Sequence, residues 1–397
     1  MNLALVQFSP KFGGATISGQ MIASGLIERG WSVDAFFAFD GPFVAHAESC
    51  GCQSHVIPHK NWLRTRNPIR FGRHFLAERC AAEEFERAFR RLKPDLVYVN
   101  SLVSYAAALA GRRLGLPVVW HIRELFDDLH GEMTWPGWPM KRFVRKQIFG
   151  LANRIITNSE AVRLNVLGPV REARCEVVYN GVDSRYFGSR GDRDECRKQV
   201  GLPPKVPLVG LPGTLRPVKG HEFFFRAIPR VLEVVPDCRF AVSGAIDSEF
   251  ARQLRSDVEG RDFADRLTFV GRVDDMVPFY HGCDVCCVPS LSESFGRTAI
   301  ECLATATPVV TTTVGGLKEI IRDGQNGYLV DYNDVSALSD RIVRLLRVDE
   351  SQRLVQQGVK DAFLNYTQSG YLERVSAILR GALVKAKQSE RLDSNRL

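Results

Sequence analysis

Short apolar runs alternate with helix-length segments along most of the chain, and this alternation limits the fold more than any other feature. "LALVQF" (3–8) is followed by a turn, "SPKFGG" (9–14), a helical segment ended by glycine, "ATISGQMIASGLIERG" (15–30), and a second apolar run, "WSVDAFFAF" (31–39). That order is a βαβ unit, because parallel strands cannot be joined by a tight hairpin and need a crossover. Further runs follow at "DLVYVNS" (95–101), "PVVWHI" (117–122), "RIITNS" (154–159) and "CEVVYNG" (175–181). Apolar runs separated by helices predict an α/β protein with doubly wound parallel sheets.

A polar stretch, "SRYFGSRGDRDECRKQVGLPPKVP" (184–207), interrupts the rhythm and marks the expected joint between domains. "LVGLPGTL" (208–215) restarts it, followed by "RFAVSGA" (239–245), "RLTFVGRV" (266–273), "CDVCCVPS" (283–290), "TPVVTTTVGG" (307–316) and "NGYLVD" (326–331). From 336 onward the periodicity is helical, ending in the amphipathic "SGYLERVSAILRGALVKAKQ" (369–388). With 397 residues, 45% of them hydrophobic, the chain can bury two cores. The expectation is two Rossmann-like domains, 1–185 and 186–371, facing across a cleft lined by the carboxyl ends of their strands, where open α/β sheets bind ligands.

A net charge of +8 points to an anionic partner: nucleic acid, an acidic membrane or a phosphorylated substrate. "HKNWLRTRNPIRFGRHF" (59–75) and "WPGWPMKRFVRKQIFG" (135–150) mix cations with aromatic rings, which suits either the headgroup layer of an anionic membrane or a solvated basic face. No nucleic-acid reading motif accompanies them, so nucleic acid is not expected as a partner. No run of 18 apolar residues occurs, and the opening "MNLALVQFSPKFGG" lacks a signal-peptide pattern. A cytoplasmic protein is expected, with peripheral contact at the inner face of the cell membrane. The ten cysteines are scattered, and the densest group, Cys283, Cys286 and Cys287, lies in an apolar run with no second ligand pair. They read as buried thiols of a reducing compartment, not as metal ligands.

Chemistry concentrates in "VPSLSESFGRTAIECLA" (288–304). A strand ends near Ser290, a loop runs to Gly296, and a short helix starts at about Arg297. Free backbone N–H groups and the dipole make that start an anion site. Glu301 sits one turn in and Glu293 lies in the loop before it. Sugars offer paired hydroxyl donors to such carboxylates, although glutamates also simply complement helix starts. Asp192 and Asp194 form a literal Asp-x-Asp, but they precede a helical run and read as helix-start acids.

"ESFGRTAIE" (293–301), followed by "ATATPVV" (304–310) and "VGGLKEIIRDGQNGYLV" (314–330), resembles the signature of retaining glycosyltransferases of family 4 with the GT-B fold. "GTLRPVKG" (213–220) is similar to the family's diphosphate-binding turn, "VVYNGVDSRYF" (177–187) to its interdomain segment, and "FVGRVDDMVPFYHGCDVCCVPS" (269–290) to its nucleoside-side strand. "FGGAT" (12–16) resembles its glycine-rich loop. The resemblance implies that Glu293 and the backbone of Phe295 and Gly296 contact the transferred sugar, Glu301 binds the ribose, and Lys219 grips the diphosphate. It also implies that Gly13, Gly14, Gly213, Thr214, Gly271, Arg272, Val273, Ser290, Arg297 and Thr298 line the donor, and that a closing helix of about 372–397 rejoins the first domain. A cation at Lys219 would stabilise the departing nucleotide more than the bound one; losing such a group costs about 3 to 4 kcal/mol of barrier.

Two departures stand out. The family often carries Arg where this chain has Thr214, and Arg216 supplies charge nearby; Ala306 replaces a glycine. His121 in "WHIRE" is either an orienting group for donor or acceptor or a satisfied core histidine, and Arg123 and Glu124 are expected to pair with each other. The dinucleotide fingerprint is absent, which weighs against NAD. The resemblance implies hexose transfer from a UDP- or GDP-linked sugar to a glycan or lipid-linked glycan, with no metal or other cofactor. Alternatives are a nucleotide-sugar epimerase of the same architecture and a non-catalytic carbohydrate-binding scaffold.

Overall fold

Every strand pairing among the described residues is parallel. The computed structural model describes residues 1–126, 138–169, 172–188 and 191–394, and the chain divides into two units. Unit 1 comprises Met1–Gly181 and Gln368–Leu397; unit 2 comprises Val182–Thr367. Trp135 of the second basic-aromatic cluster lies outside the described residues.

Unit 1 runs β1 (Asn2–Val6), α1 (Gly14–Ile27), β2 (Ser32–Phe37), α2 (Pro42–Ser49), β3 (Gln53–Val56), α3 (Pro68–Leu92), β4 (Leu96–Val99), α4 (Tyr105–Arg113), β5 (Val118–Ile122), α5 (Trp138–Leu151), β6 (Arg154–Thr157), α6 (Glu160–Val162) and β7 (Cys175–Val177). Its seven strands lie in the order β3-β2-β1-β4-β5-β6-β7. Successive residues of β1 feed opposite faces: Ala4 and Val6 join the core under α3, α4 and α5, while Leu3 and Leu5 join that under α1 and α2. Both faces are covered, which explains why these strands read as unbroken apolar runs. β3 is the exception. Its "QSHV" is short, polar and half-exposed at the sheet edge, and no apolar run announced it.

Unit 2 runs α7 (Arg193–Gln199), β8 (Leu208–Leu211), α8 (His221–Val234), β9 (Arg239–Ser243), α9 (Glu249–Glu259), β10 (Leu267–Gly271), α10 (Val277–Gly282), β11 (Val285–Val288), α11 (Arg297–Ala304), β12 (Val309–Thr312), α12 (Leu317–Ile320), β13 (Tyr328–Val330), α13 (Val335–Leu345) and α14 (Val348–Asn365). Its six strands lie in the order β10-β9-β8-β11-β12-β13. The expected joint at 184–207 is not a linker. Arg197 is buried and donates from Nε to the Gly282 carbonyl (2.8 Å) and from Nη2 to Asp284 (2.9 Å), fastening α7 to unit 2. The chain instead crosses between Gly181 and Val182 and returns at Gln368.

The returning helix, α15 (Gln368–Ser394), belongs to unit 1. Leu372, Val375, Ile378 and Leu379 complete the core beneath α1. Gly25 of α1 makes that approach feasible, since a Cβ there would lie 2.4 Å from Leu372 Cδ1.

Candidate functional site

The carboxyl ends of β8, β9 and β10 are built from glycines in the left-handed region: Gly213 (φ 135°), Gly244 (φ 141°) and Gly271 (φ 82°). The Gly213 N–H donates to Ser243 Oγ (3.2 Å), and the Gly244 N–H donates to the Gly271 carbonyl (2.8 Å). A Cβ at Gly244 would sit 2.4 Å from the Gly213 oxygen, so a larger residue would force these strand ends apart. Thr214, which follows, is exposed, and Arg216 is half-buried.

Pro217–Lys219 then forms a 3-10 turn ending at Gly220 (φ 71°), which abuts the next strand end: a Cβ there would lie 1.9 Å from the Pro289 oxygen. The Leu291 N–H donates to the Val218 carbonyl (2.8 Å), fixing the turn to the loop after β11. The Gly316 N–H holds that loop from the other side by donating to the Glu293 carbonyl (3.1 Å). Clamped this way, Lys219 Nζ lies 2.6 Å from Glu293 Oε2, and both side chains remain partly exposed.

The loop ends at Gly296 (φ 114°), directly before α11. Phe295 is buried against Tyr366, and Thr298 is half-buried. Ser290 is fully buried, and its Oγ has no hydrogen-bond partner among the described residues. Glu301, 7% exposed, accepts from Tyr280 Oη (2.6 Å) and Arg297 Nε (2.7 Å). Burial and the Glu301 charge push the Tyr280 phenol up, so it stays protonated and donates. Burial works against the Arg297 cation, but Glu301 more than compensates and holds its pKa above the ordinary value. Tyr186 packs at a tilt against Tyr280 (centroids 6.1 Å), and its phenol is raised by burial and then by Glu301. Sequence reasoning overlooked Tyr186 and Tyr280, although both lie in the motifs that carried the resemblance. On the β10 side, Arg272 is exposed and bonded to Asp274 (2.9 Å), and Val273 is half-buried.

Lys219, Glu293 and the helix start at Gly296 thus come together, and Glu301 holds a contact set of its own on α11. Next to the turn, burial pushes His221 down to about 4, so its imidazole is neutral beside Lys219. Asp192 caps α7 by accepting the Glu195 N–H (2.9 Å), and Asp194 accepts the Lys205 N–H (3.1 Å). Cys283, Cys286 and Cys287 are buried thiols. No three His, Cys, Asp or Glu side chains gather as a metal ligand set among the described residues.

In unit 1, Gly13 and Gly14 open α1, with Thr16 Oγ1 accepting the Gly13 N–H (3.0 Å), and a Cβ at Gly14 would meet nothing within 4 Å. His121 is 0% exposed within β5, with Nδ1 against Tyr98 Oη and Nε2 without a partner among the described residues. Burial, then Arg123, pushes it well below the ordinary histidine value. The expected Arg123–Glu124 pair does not form. The buried Arg123 guanidinium reaches Asn100 (2.6 Å), Asn180 (2.6 Å) and Tyr371 of α15 (2.8 Å), whereas the Glu124 carboxylate accepts from Ser101 Oγ (2.6 Å) and the Leu102 N–H (3.0 Å). Glu124 does accept the Arg123 backbone N–H (3.1 Å), but the guanidinium itself is taken up by other partners.

Residues 12–186 match the model of Glycosyltransferase Family 4, and residues 206–348 match that of Glycosyl transferases group 1. D-inositol 3-phosphate glycosyltransferase of Mycobacterium marinum is 34% identical over 222 residues, covering 53% of this chain and 46% of the relative. That of Acidothermus cellulolyticus is 32% identical over 297 residues, 70% of this chain and 65% of the relative. The chain spans about half the length of the first of these curated relatives. Among solved structures, Anabaena HepE in complex with UDP-glucose superposes with a TM-score of 0.81 at 21% identity, over 96% of this chain and 100% of that one. Sucrose-phosphate synthase of Thermosynechococcus elongatus gives 0.77 at 20% identity, over 97% and 99%. At such identities the superpositions speak for the GT-B fold alone, with two parallel-sheet Rossmann-like units. With one matched region in each unit, and the signature loop, turn and glycines in place in unit 2, the chain belongs to the glycosyltransferases of family 4 and group 1.

Proposed function

We propose that the chain transfers a hexose-type sugar from a UDP- or GDP-linked donor to a glycan or lipid-linked glycan acceptor, with retention at the anomeric carbon, in cell-surface polysaccharide or glycolipid synthesis. The Lys219–Glu293 contact, 2.6 Å across beside the helix start at Gly296, carries this reading. It sets a cation suited to a diphosphate next to a carboxylate suited to sugar hydroxyls. The glycine-built ends of β8 to β10 leave backbone open for a nucleotide to approach, and Glu301 keeps lone pairs for ribose hydroxyls beyond those given to Tyr280 and Arg297. The names of the relatives support transfer, and the UDP-glucose bound to HepE supports the donor class.

In the step itself, the acceptor oxygen bonds to the anomeric carbon on the face from which the diphosphate leaves. The carbon–phosphate-oxygen bond breaks, and the departing oxygen takes the acceptor's proton. Lys219, Arg216 and the α11 dipole would stabilise the charge that develops on the diphosphate. Glu293 would hold the sugar, and no cofactor is needed. His121, sealed in β5, would act as a positioning residue through Tyr98 and Arg123, and the acceptor would be handled by unit 1 at an anionic membrane surface.

The test begins with the UDP- or GDP-sugar that most raises the melting temperature. With it, Lys219→Ala should lower kcat by about a few hundredfold while weakening donor binding much less, and NMR of the product should show the donor's anomeric configuration. Equal losses in kcat and binding, inversion, or donor conversion without acceptor would overturn the reading.

A further inference from the structure

Helix α3 changes character along its length. In its second half Arg87 pairs with Glu84, and Glu86 takes both Arg90 and, from α4, Arg113, leaving Arg91 and Glu83 without an ion pair among the described residues. In its first half and the loop before it, Arg64, Arg66, Arg70, Arg73 and Arg79 are exposed, and no carboxylate lies within ion-pair distance of any of them among the described residues. The sequence has no acid between Glu48 and Glu78, and Glu78 points inward, accepting the Lys60 N–H (2.8 Å) and the Ala106 N–H (3.0 Å).

Aliphatic side chains stand among these cations. Ile69 is 70% exposed and Leu76 is 62% exposed, one turn either side of Arg73. α5 extends the face, because Phe143, 36% exposed, packs edge-on against Phe71 (6.1 Å) and Phe75 (5.1 Å) of α3. Lys146 of α5 is also exposed without a carboxylate partner among the described residues, and α5 contains no acid.

A purely solvated face has no use for bare Ile69 and Leu76. A second copy of the chain would bring like charges together, and a nucleic acid would engage the cations but leave the aliphatic chains in water. An anionic bilayer satisfies both, with cations at the headgroups and apolar side chains in the interfacial layer. We propose that the first half of α3, the loop 60–67 and α5 form a surface that docks peripherally on anionic lipid. No helix among the described residues is long and apolar enough to cross a membrane. The loop leaves the carboxyl end of β3, at the same sheet edge as the turn after β1, and His59 touches Phe8 of that turn (5.3 Å). Docking would thus set the Gly13 edge of unit 1 near lipid. The charge and apolar pattern stands without the sugar-transfer reading, so either can fail alone.

The experiment sediments the full chain with phosphatidylcholine vesicles, with and without phosphatidylglycerol, at low and high salt. Binding should require the anionic lipid and should fall as salt shortens the Debye length. R66Q/R70Q/R73Q should weaken it by about two orders of magnitude and I69S/L76S by about tenfold. R87Q/R90Q, which removes ion-paired cations of the same helix, should bind like the parent, and Lys146→Gln gives a milder single-charge loss on the neighbouring helix. Circular dichroism establishes that each variant is folded. Lack of binding by the parent, parent-like binding by the folded triple variant, or indifference to I69S/L76S together with release by duplex RNA would each overturn the proposal.

Discussion

Glu78 is a carboxylate with no exposure, tying the loop at Lys60 to the start of α4 through two backbone N–H groups. Burial pushes its pKa from 4.5 up to about 8, with the backbone donors pulling the other way. In the unfolded chain it loses its proton near its ordinary value, while the folded chain keeps it to about 8. The folded form therefore binds the extra proton between those values, and this contribution to stability falls as pH rises through that window and is gone above it. In urea unfolding, the stability of the parent relative to Glu78→Gln should decline from about pH 5 to pH 8.5 by at most about 1.4 kcal/mol per pH unit. A difference independent of pH would show that Glu78 is ionised in the fold. His59, pushed down to about 4 by burial, acts in the opposite sense as pH falls, but it is common to both proteins and cancels. None of this was legible in "AERCAAEEFERAF" (77–89), because nothing in the sequence distinguishes Glu78 from its neighbours Glu83, Glu84 and Glu86. The Arg123–Tyr371 bond was equally hidden, since it joins positions 248 apart. Lys219 and Glu293 could be named beforehand because each lies in a segment, "GTLRPVKG" or "ESFGRTAIE", that carries the family resemblance. Ala306 was legible as a departure, and its meaning is geometric: it stands at φ 56°, where the chain leaves α11 through Ala306 N–H to Leu303 and Thr307 N–H to Cys302, a bend that favours glycine.

The strands buried on both faces could be read from the chain because burial on two sides leaves few polar positions, such as Asp34 in β2 and His121 in β5. β3, with one flank open to water, carried no such mark. The loops depended on contacts that sequence does not display. "VGG" (314–316) was visible as a motif, but its function is to let two segments of backbone touch. Gly315 (φ 50°) would place a Cβ 1.8 Å from the Glu293 oxygen, and Gly316 would place one 2.5 Å from that of Phe295. Gly315→Ala should therefore displace the loop that holds Glu293 against Lys219. The expected cost is about 2 kcal/mol or more, above the roughly 1 kcal/mol that a left-handed alanine alone incurs, together with weaker donor binding. Gly30→Ala is the comparison, because Gly30 has φ 78° but nothing within 4 Å of a Cβ. Urea unfolding of both variants separates clash from backbone strain, and equal losses would mean that the loop gives way freely.

Two doubly wound sheets were evident from the sequence, which put the division at 185/186 and the rejoining helix at about 372. The units divide at Gly181/Val182 and Thr367/Gln368, and what the sequence did not display is what sets those points. Polar composition suggested 184–207, whereas the passage is set by α7 docking on unit 2 and α15 docking on unit 1. The last helix is thus a structural part of a unit whose other residues all lie before Val182. Leu372, Val375, Ile378 and Leu379 are almost wholly buried in the core beneath α1, and Tyr371 is one of the partners that satisfy the buried Arg123. Burial of each such side chain contributes about 1.5 to 3 kcal/mol, so their sum approaches the 5 to 15 kcal/mol that holds a typical domain folded. Removing 368–397 would also leave Arg123 buried with one bond fewer, which adds to the loss. A chain ending at Thr367 should lose the fold of unit 1, while unit 2, which contributes nothing to that core, keeps its own. Limited proteolysis should then leave a resistant fragment starting near Val182, with peptides from 1–181 digested. Protection of those peptides equal to that in the full chain would mean that α15 rests on unit 1 without supporting it.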